Sequence, residues 1–405
     1  MITVERLTLR AEGVGGGLTI ARALPGEVVE GDVVDGRIAQ PRIVTPSPDR
    51  VAAPCRHYKS CGGCALMHAS DGFVANWKQE VVQSALAAQG IEAPFRPILT
   101  SPPQSRRRAT LAGRRLKAGA LVGFHARASD TVTAIPECRL LDPALIAAIP
   151  ACEALVIAGG SRKGEVKLTV TRFDQGVEVA VTGGKPLDTA LRIDLPQIAG
   201  QHGLARLAWD DEVLLQTEPP TLTMGPARVS PPPGAFLQAT PQGEAALLAA
   251  VREAVGEAGR IADLFAGCGT FALPLATRAE LHAVEGAKPL LAALDRGWRG
   301  ARGVKQVTTE ARDLFRRPLL PDELARFDAV VIDPPRAGAE AQIAELARSG
   351  VPVIAHVSCN PVTFARDAKT LIAAGYRLDW VQVVDQFRWS AHVELAARFS
   401  RNHMA

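Results

Sequence analysis

One cysteine of the sequence stands where a nucleophile could work. An apolar run, VPVIAHV, ends in Ser358-Cys359-Asn360-Pro361, and the next residues, PVTFARDAKTLIAAG, have helical spacing. We therefore expect Cys359 between the tip of a strand and the start of a helix, where the helix dipole would lower its pKa and favour the thiolate. A spectator cysteine, which would more often lie within the strand, is the alternative. The position makes Cys359 a candidate nucleophile.

A short loop with two glycines predicts a site for a nucleoside cofactor. The predicted strand RIADLFA runs into GCGTF, where glycine at 267 and 269 lets the backbone turn sharply and approach a ligand. About twenty residues later, the apolar run LHAVE ends in Glu285, whose carboxylate could accept both hydroxyls of a ribose. The third glycine of a dinucleotide fingerprint and the lysine of a phosphate loop are absent here, so S-adenosylmethionine fits better than a dinucleotide or ATP.

Two further acids follow predicted strands. Asp313 comes after KQVTTEAR and Asp333 after DAVVI. Open α/β sheets bind their ligands at the carboxyl edge of the strands, although aspartate there is also a common helix N-cap. Asp333 leads into two prolines, which fix φ and remove two backbone donors. We therefore expect Asp333 to be held rigidly, with its side chain free to act.

Four of the seven cysteines predict a cluster site in the first third of the chain: Cys55, Cys61, Cys64 and Cys138. One C-x-x-C pair with two single thiols is unlike the paired spacing of structural zinc, so the pattern favours a structural [4Fe–4S] cluster, with zinc as the alternative. The odd number of cysteines and the absence of a recognisable secretory signal argue against disulfides. Two other cysteines are expected to be spectators: Cys152 and Cys268.

The elements that must position these residues change character along the chain. Residues 1–50 contain short alternating runs separated by Gly and Pro, which predict a small β-barrel of the OB type. Residues 51–232 contain a predicted helix over 71–90 and then mostly β segments. Over residues 233–405 apolar strands alternate with helices, which predicts an α/β domain with an open, mostly parallel sheet covered on both faces.

Composition and charge limit the class of protein. Hydrophobic residues make up 47% of the 405 residues and charged residues 22%, as in soluble globular proteins. The first residues carry charges, and polar residues interrupt every long apolar stretch, so we expect a cytoplasmic, monomeric protein without a membrane span. The segment 105–119 holds six basic residues and no acidic one. This run could neutralise phosphates, although a solvated surface is the alternative.

The ordered set of motifs resembles the uridine-5 RNA methyltransferases, in the iron–sulfur branch that modifies large-subunit ribosomal RNA. The amino-terminal VERLTLRAEGVGG and ALPGEVVEGDVV look like that family's TRAM domain, an RNA-binding barrel, and SPDRVAAPCRHYKSCGGCALMH looks like its cluster segment. Further along, seven motifs appear in the family's order: FLQ, DLFAGCGTFALPLA, VEG, ARDLF, IDPPRAG, SCNPVTFARD and HVE. The resemblance covers nearly the whole chain.

The resemblance implies a Rossmann-like class I methyltransferase domain with S-adenosylmethionine as cofactor. The cofactor contacts that it implies are Gln238, Phe265, Thr270, Glu285, Asp313 and Asp333. It also implies Cys359 as the nucleophile and Glu394 as the base. Three departures stand out: Thr270 replaces the usual Asn, Ala239-Thr240 follows Gln238 where an Asn is usual, and FRWSA replaces Pro-x-Thr before HVE.

Uridine chemistry gives both residues a task. Carbon-5 of uracil becomes nucleophilic only after a thiolate adds at carbon-6, and a base must later remove the carbon-5 proton. A carboxylate with a raised pKa, such as Glu394, suits that step, although a strand-edge surface residue is the alternative. We expect RNA as the partner, 23S ribosomal RNA first and transfer RNA second.

Three other classes of protein are weighed against this one. Cytosine-5 enzymes usually take their cysteine from a Pro-Cys context, and amino-group enzymes need an aromatic residue where Arg336 stands. A non-catalytic RNA-binding or assembly protein would be expected to have lost the cofactor residues or Cys359. None of the three fits the motifs as well as a uridine-5 enzyme does.

Overall fold

The amino-terminal residues form two small sheets of short strands. The computed structural model of the protein describes residues 1–401. The first strands are β1 (Ile2–Thr3), β2 (Arg6–Leu7), β3 (Gly13–Gly15), β4 (Leu18–Ile20), β5 (Val28–Glu30), β6 (Arg37–Ile38) and β7 (Arg42–Thr45). One sheet has the order β1-β5-β7 and the other β2-β3-β4-β6. Val4, Ile20, Val29 and Ile38 are fully buried in one apolar cluster.

A larger sheet with three helices makes up most of the middle of the chain. The helices and strands of this part of the chain are, in order, α1 (Asp71–Ala87), β8 (Leu99–Thr100), β9 (Arg108–Arg115), β10 (Ala120–His125), β11 (Val132–Ala134), α2 (Pro143–Ala147), α3 (Ile149–Gly159), β12 (Glu165–Phe173), β13 (Gly176–Thr182), α4 (Thr189–Gln201), β14 (Arg206–Trp209), β15 (Glu212–Gln216), β16 (Leu222–Met224) and β17 (Ala227–Val229), of which β16 and β17 form a separate two-stranded sheet. Seven strands pair in the order β11-β10-β9-β12-β13-β14-β15, and only β13 and β14 run parallel.

The helices α2, α3 and α4 were not predicted for this mostly β region. The segment that forms α2 and α3 is apolar almost throughout, so it has no polar face that would reveal a helical period. Leu155 and Leu195 from these helices are fully buried against Leu168 and Leu207 of the sheet. The segment is therefore a core helix, which periodicity cannot distinguish from a buried strand.

The carboxy-terminal sheet has the architecture expected of an open α/β domain. Its elements are α5 (Pro241–Val255), β18 (Arg260–Leu264), α6 (Ala272–Leu275), β19 (Glu280–Glu285), α7 (Lys288–Gly300), β20 (Val307–Ala311), α8 (Pro321–Leu324), β21 (Ala329–Ile332), α9 (Glu340–Arg348), β22 (Val353–Ser358), α10 (Pro361–Ala373), β23 (Arg377–Asp385) and β24 (Glu394–Ser400). The strand order is β20-β19-β18-β21-β22-β24-β23-β8, with β18 to β22 parallel and β24 antiparallel to both neighbours. The strand order reverses between β18 and β21, where ligands of such sheets bind.

Two elements from the middle of the chain belong to this sheet. The predicted helix over 71–90 is confirmed as α1, and the Ser70 hydroxyl caps it by accepting from the Phe73 N–H at 3.2 Å. Val82 and Leu86 of α1 share a buried cluster with Phe364 of α10. β8 pairs in parallel with β23 at the sheet edge. Residues before 233 therefore complete one face and one edge of the carboxy-terminal sheet.

None of the helices in residues 1–401 combines the length and apolar character needed to span a bilayer.

Candidate active site

The loop after β18 approaches the carboxyl edge of the sheet in a strained conformation. Gly269 has φ +99°, and a Cβ there would lie 2.7 Å from Leu273, so the tight turn requires glycine. Phe265 adopts a left-handed φ of +62° although it is not glycine. Such a residue stores strain on the order of 1–3 kcal/mol and is found most often at functional sites. Thr270 is half-buried in the same loop.

The acids predicted after β19 and β20 lie at the same edge. Glu285 accepts hydrogen bonds from the Gly267 N–H at 3.1 Å and the Ala287 N–H at 2.9 Å, which fixes its carboxylate beside the glycine loop. Asp313 is exposed, and its carboxylate accepts from the Phe315 N–H at 3.0 Å. The rings of Phe315 and Phe265 lie 5.4 Å apart. Polar and apolar surfaces suited to a nucleoside therefore adjoin here.

Asp263, at the end of β18, is a site residue that the sequence reasoning missed. It is fully buried, and its two oxygens accept no well-formed hydrogen bond within residues 1–401. Burial, followed by the nearby charge of Asp333, raises its pKa well above the usual range, while the Ala272 N–H opposes the shift. A buried carboxyl without a firm partner requires an explanation, and a missing ligand is one. An acid inside the apolar run RIADLFA was the available signal.

A chain of hydrogen bonds joins the loop after β21 to the start of β24. Gln238, which is buried, donates to Asp333 at 3.3 Å and accepts from the side chain of Gln386 at 2.6 Å. Gln386 also donates to the Glu394 carboxylate at 3.0 Å. Burial raises the pKa of Asp333 to about 7. Burial and the charge of Asp333 raise the pKa of Glu394 to about 8, against the hydrogen bond from Gln386.

Cys359 and Glu394 meet through strand pairing. β22 and β24 are antiparallel, with Ser358 opposite Leu395, so the next position beyond the strand brings Cys359 opposite Glu394. Cys359 is half-buried and immediately precedes Asn360, the N-cap of α10. A thiol and a carboxyl thus stand together at the carboxyl edge of the sheet, beside the Asp333 loop.

The expectation that the helix dipole lowers the pKa of Cys359 is wrong for this structure. Burial, followed by the charges of Glu394 and Asp333, raises its pKa to about 11, and only the Arg336 guanidinium among neighbouring charges opposes the shift. Desolvation and two carboxylates outweigh a dipole whose effect is confined to the first helical turn. The sequence placed Cys359 near a helix start and identified both acids, but it did not reveal how strongly burial would raise the pKa of the thiol.

The loop that leads to Glu394 departs from the family pattern and has its own anchor. Trp389 has φ +59°, and its indole is buried against Tyr58, Met67 and Leu140. Its carbonyl accepts from the N–H groups of Ala65 and Leu66 at 2.7 and 2.9 Å. The sequence FRWSA therefore keeps the loop in place by docking it onto the cysteine-rich segment.

A buried ion pair holds the other end of that loop. Lys78 of α1 lies 2.6 Å from the carboxylate of Asp385, the last residue of β23, and both side chains are buried. The Lys78 ammonium also donates to the Phe387 carbonyl at 3.1 Å. Gln386 lies between these two anchor points, so its backbone position is fixed from α1.

The four clustered cysteines line one cavity together with apolar side chains. The lining includes Cys55, Cys61, Cys64 and Cys138 with Tyr58, Met67, Phe124, Ile135 and Leu140. Burial, followed by the proximity of the other three thiols, raises the pKa of Cys64. Among residues 1–401, no three His, Cys, Asp or Glu side chains are arranged to hold a metal ion. The donor set is therefore four thiols around a largely apolar space.

Part of the basic run has a structural role. Arg107 is buried, donates to the Gln238 carbonyl at 3.1 Å and forms an ion pair with Glu244. Arg108 donates to the Gly234 carbonyl at 3.0 Å. These two guanidinium groups hold the start of the α/β domain against β9, so the run as a whole is not a phosphate-binding surface.

Comparison with known proteins finds RNA methyltransferases that are similar over the whole chain. A family model described as tRNA (Uracil-5-)-methyltransferase matches residues 300–402. An uncharacterized RNA methyltransferase of Rhizobium meliloti is 41% identical over 99% of both chains. The 23S rRNA (uracil(1939)-C(5))-methyltransferase RlmD of Chromohalobacter salexigens is 31% identical over 99% of this chain and 89% of its own.

The fold has a counterpart among solved structures. The tRNA (uracil-54, C5)-methyltransferase of Pyrococcus abyssi, crystallised with S-adenosyl-L-homocysteine, superposes with a TM-score of 0.78 over 98% of this chain and 99% of its own, at 24% identity. The α/β sheet is thus a class I methyltransferase fold with mixed strand directions. The chain belongs to the family of S-adenosylmethionine-dependent RNA (uracil-5-)-methyltransferases.

Proposed function

We propose that the protein methylates carbon-5 of a uridine in 23S ribosomal RNA through a covalent bond between Cys359 and the base. The observation that carries the proposal is the pairing of β22 with β24, which sets a thiol opposite a carboxyl of raised pKa at the ligand-binding edge. The full-length similarity to a 23S rRNA enzyme supports the choice of RNA. The description of the matching family model favours transfer RNA as the second candidate.

S-adenosylmethionine would be held by residues along the strand tips. The set proposed from the sequence is Gln238, Phe265, Thr270, Glu285, Asp313 and Asp333. Asp263 joins it because its buried carboxyl lacks a firm partner. When bound, the cofactor supplies an electrophilic methyl group on a sulfonium. The three acids Asp263, Glu285 and Asp333 around the glycine loop suit a ligand that carries positive charge.

In the proposed reaction Cys359 gives its proton to solvent, and its thiolate sulfur adds to uracil carbon-6, which places the electron pair on carbon-5 and O4. Carbon-5 then takes the methyl group. Glu394, as a carboxylate, removes the carbon-5 proton, and the returning electron pair expels the thiolate from carbon-6. Arg336 favours the thiolate form of Cys359, whereas the carboxylates oppose it. Protonation of Asp333, whose pKa is about 7, would ease the first step.

We further propose a structural [4Fe–4S] cluster on Cys55, Cys61, Cys64 and Cys138. One C-x-x-C pair with two single thiols is unlike the paired spacing of structural zinc. A cubane is bulkier, and four thiols around one apolar cavity suit it.

The two small amino-terminal sheets are proposed to form a TRAM-like RNA-binding barrel. The proposed domain boundaries are those that the sequence suggests, at about residues 50 and 232.

The experiment that tests the reaction uses RNA substituted with 5-fluorouridine, whose carbon-5 carries no removable proton. The wild-type protein with S-adenosylmethionine should form a covalent complex that survives denaturing electrophoresis. Cys359→Ala should form none while still binding the cofactor. Cys152→Ala, a buried cysteine of the middle domain, is the matched control and should form the complex. A covalent complex with Cys359→Ala would overturn the proposal.

Mapping 5-methyluridine in cells that lack the protein would identify the RNA. Loss of the modification from 23S ribosomal RNA supports the proposal. Loss from transfer RNA alone would replace it with the second candidate.

A further inference from the structure

Gln386 is a buried side chain that none of the motifs singles out, yet it forms hydrogen bonds to two of the proposed site residues, Gln238 and Glu394. Its side-chain nitrogen donates to Gln238 at 2.6 Å and to Glu394 at 3.0 Å. Its side-chain oxygen accepts from the Ala239 N–H at 2.8 Å. Only 1% of the residue is exposed. Both donor hydrogens and the acceptor are therefore engaged without water.

These partners fix which way the amide faces. The Ala239 N–H can only donate, so the oxygen of Gln386 must face it and the nitrogen must face the other two groups. Gln238 must then direct its own oxygen to Gln386, which leaves its nitrogen to donate to Asp333. The orientation of one amide thus determines the orientation of the next.

Packing removes the remaining freedom of Gln386. Gly243, in the first turn of α5, lies so close that a Cβ there would be 2.4 Å from the Cβ of Gln386 and 3.0 Å from its side-chain oxygen. Any larger residue at 243 would have to push Gln386 aside. The fit between α5 and the end of β23 therefore depends on a residue without a side chain.

We infer that Gln386 is a positioning residue, which holds Glu394 in place for proton removal and keeps the carboxyl ready to accept the proton. The inference rests on the proposed function, because that function gives Glu394 its role as base. Gln386 itself touches neither the cofactor residue Asp333 nor the thiol of Cys359. It acts through Glu394 and Gln238.

The physical basis is the donated hydrogen bond. An N–H that points at a carboxylate favours the charged form, so it offsets part of the effect of burial on Glu394. The other titratable groups that face Glu394 are Asp333, beyond β21, and Cys359, beyond β22. On α5, Glu244 is paired with Arg107. Removing the amide of Gln386 should therefore raise the pKa of Glu394 further.

The test compares Gln386→Met with Gln382→Met, the same substitution at a buried glutamine of β23 that bonds the Pro97 carbonyl instead. The rate at which the methylated RNA–protein adduct resolves is measured across pH by rapid quench. In Gln386→Met the rising limb of the pH–rate profile for adduct resolution should shift to a pH about one unit higher. Resolution near neutral pH should be about tenfold slower and recover at high pH. Gln382→Met should retain the wild-type profile.

A loss of rate of equal size at every pH would show that Gln386 only supports the fold, and the inference would be wrong. If Gln386→Met does not fold, Gly243→Ala replaces it, since the added methyl displaces Gln386 while keeping its amide. The same upward shift is expected, and an unshifted limb would contradict the inference. Failure of the proposed function is a separate result, because wild-type protein would then form no adduct at all.

Discussion

The two carboxyls of the site, Asp333 and Glu394, have raised pKa values for a reason that also suits their proposed work. Both are withdrawn from water, and the charge of Asp333 raises the pKa of Glu394 further. A base with a pKa of about 8 is ionised in a useful fraction near neutral pH and still binds a proton firmly. Burial of an acid at the start of β24 therefore suits the proposed removal of a proton.

Replacing the base should separate the two halves of the reaction. In Glu394→Gln the adduct should form, because Cys359 is intact, but it should resolve about 10²- to 10⁴-fold more slowly. Rapid quench with natural uridine RNA followed by denaturing electrophoresis measures both steps. Glu345→Gln, on the surface of α9, is a control that should behave like wild type. Release of product at the normal rate would remove Glu394 from its role.

The same carboxyl should make stability depend on pH. The pKa of Glu394 is raised to about 8 in the folded protein, so its contribution to stability is complete below the ordinary pKa of a glutamate and is lost as pH rises through about 8. The free energy of unfolding in urea should therefore fall between about pH 4.5 and about pH 8. Glu394→Gln should reduce that fall, and an unchanged slope would contradict the assigned pKa.

Sequence reasoning succeeded for single residues where a motif fixed both type and spacing. The sequence predicted that Cys359 follows the apolar run of β22 and that Glu394 begins the apolar run of β24, and both positions are confirmed. Gln386 could not, because its importance lies in contacts with Gln238 and Ala239, which are distant in sequence. The pKa of Cys359 was predicted in the wrong direction because local sequence does not reveal burial.

At the scale of elements, α1 matters more to the site than its distance in sequence suggests. Its Lys78 forms a buried pair with Asp385 and holds the loop that begins at Gln386. Two buried charges persist only because they are paired and hydrogen-bonded. The pair therefore determines where β23 ends and where the loop starts.

Breaking this pair should be costly. Lys78→Met should lower the free energy of unfolding by about 3–5 kcal/mol, since it leaves the Asp385 carboxylate buried without a partner. The double variant Lys78→Met with Asp385→Leu should recover much of the loss. Chemical denaturation measures both. Arg299→Met, which breaks an exposed pair with Asp295, should change little. A mild effect of Lys78→Met would contradict the proposed importance of the pair.

The alternation of strands and helices after residue 233 could be predicted because each strand is a short apolar run and each helix is amphipathic. Two features escaped prediction. The helices α2 and α3 lie in an apolar segment without a clear polar face, and α4 contains Pro196. The addition of β8 to the edge beside β23 depends on pairing between segments far apart in the chain, which no local pattern reveals.

At the scale of the whole molecule, the cysteine cavity connects separate parts of the chain. Cys138 is brought to the segment that carries Cys55, Cys61 and Cys64, and the same apolar cluster includes Trp389. Arg106 lies close to these thiols. Burial lowers the pKa of its guanidinium, and the charge of Cys64 opposes that shift. A group bound in this cavity would therefore stabilise the region next to the loop that presents Glu394.

Purified protein should contain iron and absorb visible light. Cys64→Ser should lose both, because it removes one of four proposed ligands. Cys152→Ser, which changes a buried cysteine elsewhere, should keep both. Metal analysis and absorption spectroscopy measure the outcome. Colourless wild-type protein with stoichiometric zinc would show that the cavity binds zinc.

The buried pair of Lys78 and Asp385 also has a consequence for biosynthesis, since its partners are 307 residues apart. α1 leaves the ribosome long before β23, so Lys78 has no ion-pair partner until β23 has been made. Trp389 likewise docks onto a segment that was translated early. The site should therefore form only after β23 and β24 have been synthesised. A shortened chain that lacks α1 should be inactive although it keeps every reactive group.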